Sequence, residues 1–181
     1  PASLPPGNYS ISLQVLSESG KLLGEPYIAG QAIITGRERS FEIPPLAASL
    51  DVRFGDQVRL WGYTLNQSTN SLTLDVAWGS LADPTQDYKY FVHLFDPATN
   101  EIVAQVDSMP RGYTYPTSQW IGGEVITEII TLDLRNVPSG AYRIAIGWYD
   151  PTTVIRLPAI DAAGATLPDG RVILPETIDI P

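Results

Sequence analysis

The chain contains no cysteine, one histidine and one methionine among 181 residues. Without cysteine there can be no disulfide, no thiolate metal site and no cysteine nucleophile. With His93 as the sole imidazole, neither a histidine-based metal cluster nor a Ser-His-Asp triad is predicted. Charge is also sparse: 17% of residues are charged, below the usual quarter of a globular chain. The imbalance that exists is acidic, with a net charge of −9. An acidic surface repels phosphate backbones and anionic lipid headgroups, so neither a nucleic-acid partner nor direct membrane insertion is expected. There is no signal-peptide pattern and no apolar run long enough to span a bilayer. Nor is there a phosphate-cradling glycine run of the Walker type. Helical periodicity is missing too, except that Leu46–Leu50 is compatible with one helical turn.

What the chain has is period two. Tyr9, Ile11, Leu13 and Val15 alternate with polar residues, as do Leu72, Leu74, Val76 and Trp78, and again Tyr142, Ile144, Ile146 and Trp148. Such alternation places one face on a core and the other toward water. The runs Tyr88–Phe95 and Ile126–Leu134 are apolar on both faces and read as strands covered on each side. Between the runs lie turn residues: Ser19-Gly20, Gly55-Asp56, Asn66–Asn70, Asp96–Asn100, Pro138–Gly140 and Asp169-Gly170. About nine to eleven strands at this spacing predict an all-β fold, an antiparallel β-sandwich of Ig-like or jelly-roll topology.

The chain also repeats itself. Leu4–Leu13 and Val137–Ile146 both read as an apolar residue, a Pro turn, a Gly and an alternating strand with Tyr at its head. A separation of about 130 residues is too long for a solenoid. Residues 1–45 therefore read as a β-hairpin segment, the closing part of a preceding repeat unit, with strands at Asn8–Leu16 and Gln31–Thr35 and Phe41–Ile43 leading onward. Residues 46–181 read as a complete sandwich. A lone hairpin is marginal in water, so this one is expected to dock on the main unit or to form an edge-strand dimer. Opening inside a repeat, the chain reads as a piece of something larger.

Candidate sites are few. His93 in an apolar strand is more often a satisfied core residue than a general base. Ser118 lacks a nucleophile-elbow pattern. Asp83, Asp87, Asp96 and Asp107 sit at strand ends or loops, where Asp commonly caps turns, without the regular spacing of a Ca²⁺ loop or a selected glycosidase pair. The longest irregular segment, Ser108–Gly123, holds Tyr113, Tyr115 and Trp120 off any alternating strand. Rings in an exposed loop can stack on a sugar while polar neighbours bond its hydroxyls. Tyr113, Tyr115 and Trp120, with Arg111, Gln119 and Glu124 at the rim, are the predicted ligand-binding residues; the competing expectation is that Trp120 plugs the core. Trp61, Trp78 and Trp148 read as sheet-packing residues. No cofactor and no metal are predicted.

Several phrases occur together: Trp61-Gly62-Tyr63, Leu74–Trp78, Tyr90–Asp96, Ala104–Asp107, Pro116–Trp120, Gly123–Val125, Pro138–Tyr142, Gly147–Asp150 and Arg156-Leu157-Pro158. In this order, over roughly Phe41 to Ile180, the chain resembles the non-catalytic, extracytoplasmic C-terminal β-sandwich domain of bacterial multi-spanning membrane glycosyltransferases, the mannosyltransferase-like enzymes that use polyprenyl-phosphate sugars. The resemblance implies a cell-envelope or cell-surface location as part of a larger protein. It implies an accessory role without catalysis, with a parent membrane domain and a glycan or envelope component as partners. A purely structural spacer or protein-interaction sandwich is the alternative. The chain departs from the pattern at Asp150–Ile155, where a Gly is expected in the turn before Arg156.

Overall fold

A computed structural model describes residues 6–181, and the chain divides into two compact units between Arg39 and Ser40. The first unit holds β1 (Gly7–Leu13) and β2 (Tyr27–Ile34), paired antiparallel in a two-stranded sheet of their own. Both strands stop short of the predicted Leu16 and Thr35, and β2 begins four residues before the predicted Gln31. Phe41–Ile43 forms no strand.

The second unit carries β3 (Ala48–Phe54), β4 (Val58–Gln67), β5 (Ser71–Ser80), β6 (Lys89–Phe95) and β7 (Ile102–Ser108). They are followed by β8 (Val125–Asp133), β9 (Gly140–Tyr149), β10 (Ala159–Ile160), β11 (Thr166–Leu167), β12 (Arg171–Ile173) and β13 (Ile178–Ile180). One sheet runs β11-β10-β3-β4-β5-β8; the other runs β12-β9-β6-β7, with β13 also on β9. The pairing is antiparallel throughout. The chain crosses between sheets after β5, β7, β8, β9 and β11, and the two sheets face each other as a sandwich. The expected all-β antiparallel sandwich is therefore the fold of this unit. Among the described residues there are 13 strands, more than the sequence pattern marks, because four of them are only two or three residues long.

The core follows the alternation. Leu72, Leu74, Val76 and Trp78 of β5 and Leu60 of β4 meet Tyr90, Val92 and Leu94 of β6 and Tyr142, Ile144, Ile146 and Trp148 of β9. At its centre Trp78 sits edge-on to Trp148 at 5.1 Å, with Tyr90 against both. Two expectations are corrected. β8 is not apolar on both faces: Ile126, Ile130 and Leu132 point inward, whereas Ile129 is 70% exposed. This follows from the two-layer packing, in which one face of β8 meets the opposing sheet and the other meets solvent. The possible helical turn at Leu46–Leu50 is instead the start of β3, drawn into extended form by pairing of Ala48 and Ser49 with Tyr63 and Gly62.

Candidate functional site

The long loop between β7 and β8 is built as a cap on the sandwich. Trp120 is 2% exposed, its ring edge-on to Trp148 at 5.9 Å, and its indole N–H donates to the Tyr115 carbonyl at 3.1 Å. Tyr115 is equally buried and donates its hydroxyl to Glu124 Oε1 at 2.5 Å. Glu124, itself buried, also accepts the Ile121 N–H. Thr117 accepts the Tyr88 N–H and donates to the Gln86 carbonyl. Asp87 accepts the Ser118 N–H and Asp83 the Gly122 N–H. Near the loop's start, Glu128 of β8 accepts the Arg111 N–H at 2.8 Å and the Tyr90 hydroxyl at 3.0 Å. Burial pushes the Glu128 carboxyl above its ordinary value, against the opposing pull of these donors.

This corrects the three-ring platform. Tyr115 and Trp120 are core residues: each large ring buries its body and finds a partner for its polar atom, which stabilises more than an exposed position would. Glu124, expected at a rim, is buried beneath them. Arg111, Gln119 and Tyr113 remain on the surface. Tyr113 is 54% exposed and follows Arg111 and Gly112 in a run of three positive φ angles, 50°, 57° and 69°. Left-handed backbone costs energy in residues other than Gly, and here it turns the Tyr113 ring toward Lys89, whose Nζ lies 5.2 Å from the ring centre.

Lys89 opens the outward-facing side of β6, and Tyr113 thereby joins a second, unpredicted cluster. Along β6, Tyr90, Val92 and Leu94 face the core, so Lys89, Phe91, His93 and Phe95 face away from it. The register sets Tyr149, Gly147 and Ala145 of β9 beside them on one flank and Asp107 and Gln105 of β7 on the other. Gly147 is required here: a methyl in its place would collide with the Phe91 ring and lie 2.7 Å from the Gly170 carbonyl oxygen. Arg156 stacks over Phe91 at 4.6 Å and Arg171 over Phe95 at 5.0 Å. Asp169 links the two, its carbonyl accepting from Arg156 at 3.1 Å and its carboxylate lying 3.4 Å from Arg171. A groove of about 240 Å³ adjoins Arg171, lined by Leu167, Pro168, Asp169, Val172 and Ile173.

His93 is 6% exposed, with Nε2 3.5 Å from Asp107 Oδ2 and Nδ1 buried without a partner. Burial lowers its pKa; Asp107 works against this, and Arg156 and Arg171 reinforce it. The imidazole is thus held neutral near pH 7, with Asp107 favouring the proton on Nε2 and Nδ1 left as an acceptor. Tyr149 feels both Asp107 and Lys89, and burial raises its pKa.

The other candidates are structural. Asp96 accepts the Ala98 N–H inside the β6–β7 turn. Of the strand tryptophans, Trp78 and Trp148 are core. Trp61 instead lies on the outside of the opposite sheet, under the Arg59 guanidinium at 3.8 Å and against Gly79. Among the described residues, no three His, Asp or Glu side chains are grouped to hold a metal ion. Sequence reasoning missed this outward cluster: the unbroken apolar run of β6 hides which side chains face out, Arg156 reaches it from a loop, and Arg171 reaches it from the short β12. Neither the protein-family models nor the curated proteins compared with this chain gave a match.

Proposed function

We propose that this chain is a non-catalytic recognition module of a cell-envelope protein that binds glycan on the outward face of β7, β6 and β9. The observation that carries this reading is Tyr113, held half exposed in strained backbone beside Lys89 and Tyr149 on a face of polar and aromatic groups. An open ring beside Lys89 and Tyr149, with Asp107 on the adjoining strand, offers a stacking surface together with hydrogen-bond partners for sugar hydroxyls. His93, with its Nε2 toward Asp107 and no hydroxyl group on Nδ1, has the setting of a packing and hydrogen-bonding residue rather than of a general base that activates a nucleophile. The extracytoplasmic location and the parent membrane domain rest on the sequence resemblance.

A glycan array probed with the whole chain, followed by calorimetry, tests this. Binding that is lost in Tyr113→Ala and Tyr149→Ala, with melting temperature kept, is the expected result. Failure to bind any glycan at millimolar concentration would reject it. A spacer role is the second reading, favoured by the burial of Tyr115 and Trp120, which gives the largest rings of the loop to the core.

A further inference from the structure

The charges on this face point to the kind of glycan. The chain as a whole is strongly acidic, with 20 Asp and Glu against 11 Lys and Arg. Around His93 the balance reverses. Lys89, Arg143, Arg156 and Arg171 lie on or over the outward face, against Asp107 and Asp169. Arg171 is paired with the Asp169 carboxylate at 3.4 Å, but the other three cations differ from arginines elsewhere. Arg59 and Arg135 are each clamped by a carboxylate, Asp51 and Asp133, with two nitrogens engaged. Here Arg143 donates to the Leu174 carbonyl, Arg156 donates to the Asp169 carbonyl, and Lys89 faces a ring. A carbonyl or a ring orients a cation without cancelling its charge. Arg156 is held over Phe91 at 4.6 Å and tied to the Asp169 carbonyl while remaining exposed, so its remaining N–H groups are presented from an anchored guanidinium.

Resting on the glycan-binding reading, we infer that the ligand is an acidic glycan, whose carboxylate or phosphate is received by Arg156, with Arg171 beside it, while a neighbouring ring stacks on Tyr113. A guanidinium pre-oriented by an aromatic ring suits a planar or tetrahedral oxyanion. A locally positive face on a negative protein also sets the orientation in which such a ligand approaches.

The test uses calorimetry on the whole chain with trigalacturonate, its methyl ester, mannose 6-phosphate and neutral maltotriose. Trigalacturonate or mannose 6-phosphate should bind, the two arms separating carboxylate from phosphate. The methyl ester and maltotriose should bind at least about tenfold more weakly. Affinity should fall as salt rises, Arg156→Gln should lower it about tenfold, and Arg156→Lys should restore part of it. Equal affinity for trigalacturonate and its ester would overturn the acidic-ligand inference and leave the glycan-binding reading standing. Silence from all four probes and from the array would remove both. Should Arg156→Gln bind the acidic probe as wild type does, Arg156 is not the receptor and the inference fails.

Discussion

Val154 offers a sharp test, because replacing it should stabilise the protein. It has φ of 60° in the turn that links β9 to Arg156. The turn is otherwise well made: Asp150 Oδ1 accepts the Thr152 N–H at 2.7 Å, and the Val154 N–H reaches the Asp150 carbonyl at 2.8 Å. The left-handed region costs an L-residue about 1–2 kcal/mol, and a β-branched residue is a marked outlier there. The side chain gains little in return, being 73% exposed. In Val154→Gly the strain is relieved, while the added freedom of the unfolded chain takes back about 0.5–1 kcal/mol. The net expectation is about 0.5–1 kcal/mol of added stability, or about 1–4 °C in melting temperature for a domain of this size. Urea titration followed by tryptophan fluorescence, alongside calorimetry, resolves such a change. Val154→Asn, which tolerates the same φ without glycine's entropy cost, should stabilise by a similar amount. If both variants are less stable than wild type, the strain assigned to Val154 is wrong.

Three further outcomes are expected. Trp120→Ala should cost about 3–5 kcal/mol in urea unfolding, since it empties a core position and removes the indole donor to Tyr115; a loss under about 1 kcal/mol would return Trp120 to the list of surface rings. The raised Glu128 carboxyl means that the folded state holds its proton more tightly than the unfolded chain does. Its contribution is then most favourable at low pH and erodes as pH rises through and above the ordinary value of 4.5. Glu128→Gln should flatten that part of the stability profile, and an unaltered slope would contradict the burial argument. For His93 the lowered pKa makes the unfolded chain the better proton acceptor, so its contribution is present above about 6.5 and is lost as pH falls below that. NMR of the single imidazole should give a midpoint below 6.5; one above it would show that Asp107 outweighs burial.

The strands were legible wherever burial is one-sided or complete. Period two marked β5 and β9, and the unbroken run Tyr88–Phe95 marked β6, which lies between β7 and β9. The same reading misjudged Ile126–Leu134, because an exposed Ile129 on an edge strand looks in sequence like a buried one. The long loop was legible as an irregular segment, but whether its rings faced in or out depended on partners elsewhere in sequence, Glu124 for Tyr115 and Trp148 for Trp120. The missing Gly before Arg156 was visible as a departure from a pattern, and the backbone answers it with a left-handed Val154. The outward cluster was not legible, since Asp107, Arg156 and Arg171 meet His93 only through sheet register and loop paths.

The Arg156–Phe91–Gly147 stack has a consequence for motion. Because guanidinium, ring and bare backbone are layered on the outside of β6 and β9, these strands are shielded from water on the outer face as well as the core face. Amide hydrogens in a strand covered twice exchange only through the largest openings of the domain. The β6 amides should therefore be among the last to take up deuterium, and the edge strand β8 should take it up sooner. A ligand settling on Arg156 and Tyr113 would meet a floor that is already still, and little ordering of the backbone would remain to be done on binding.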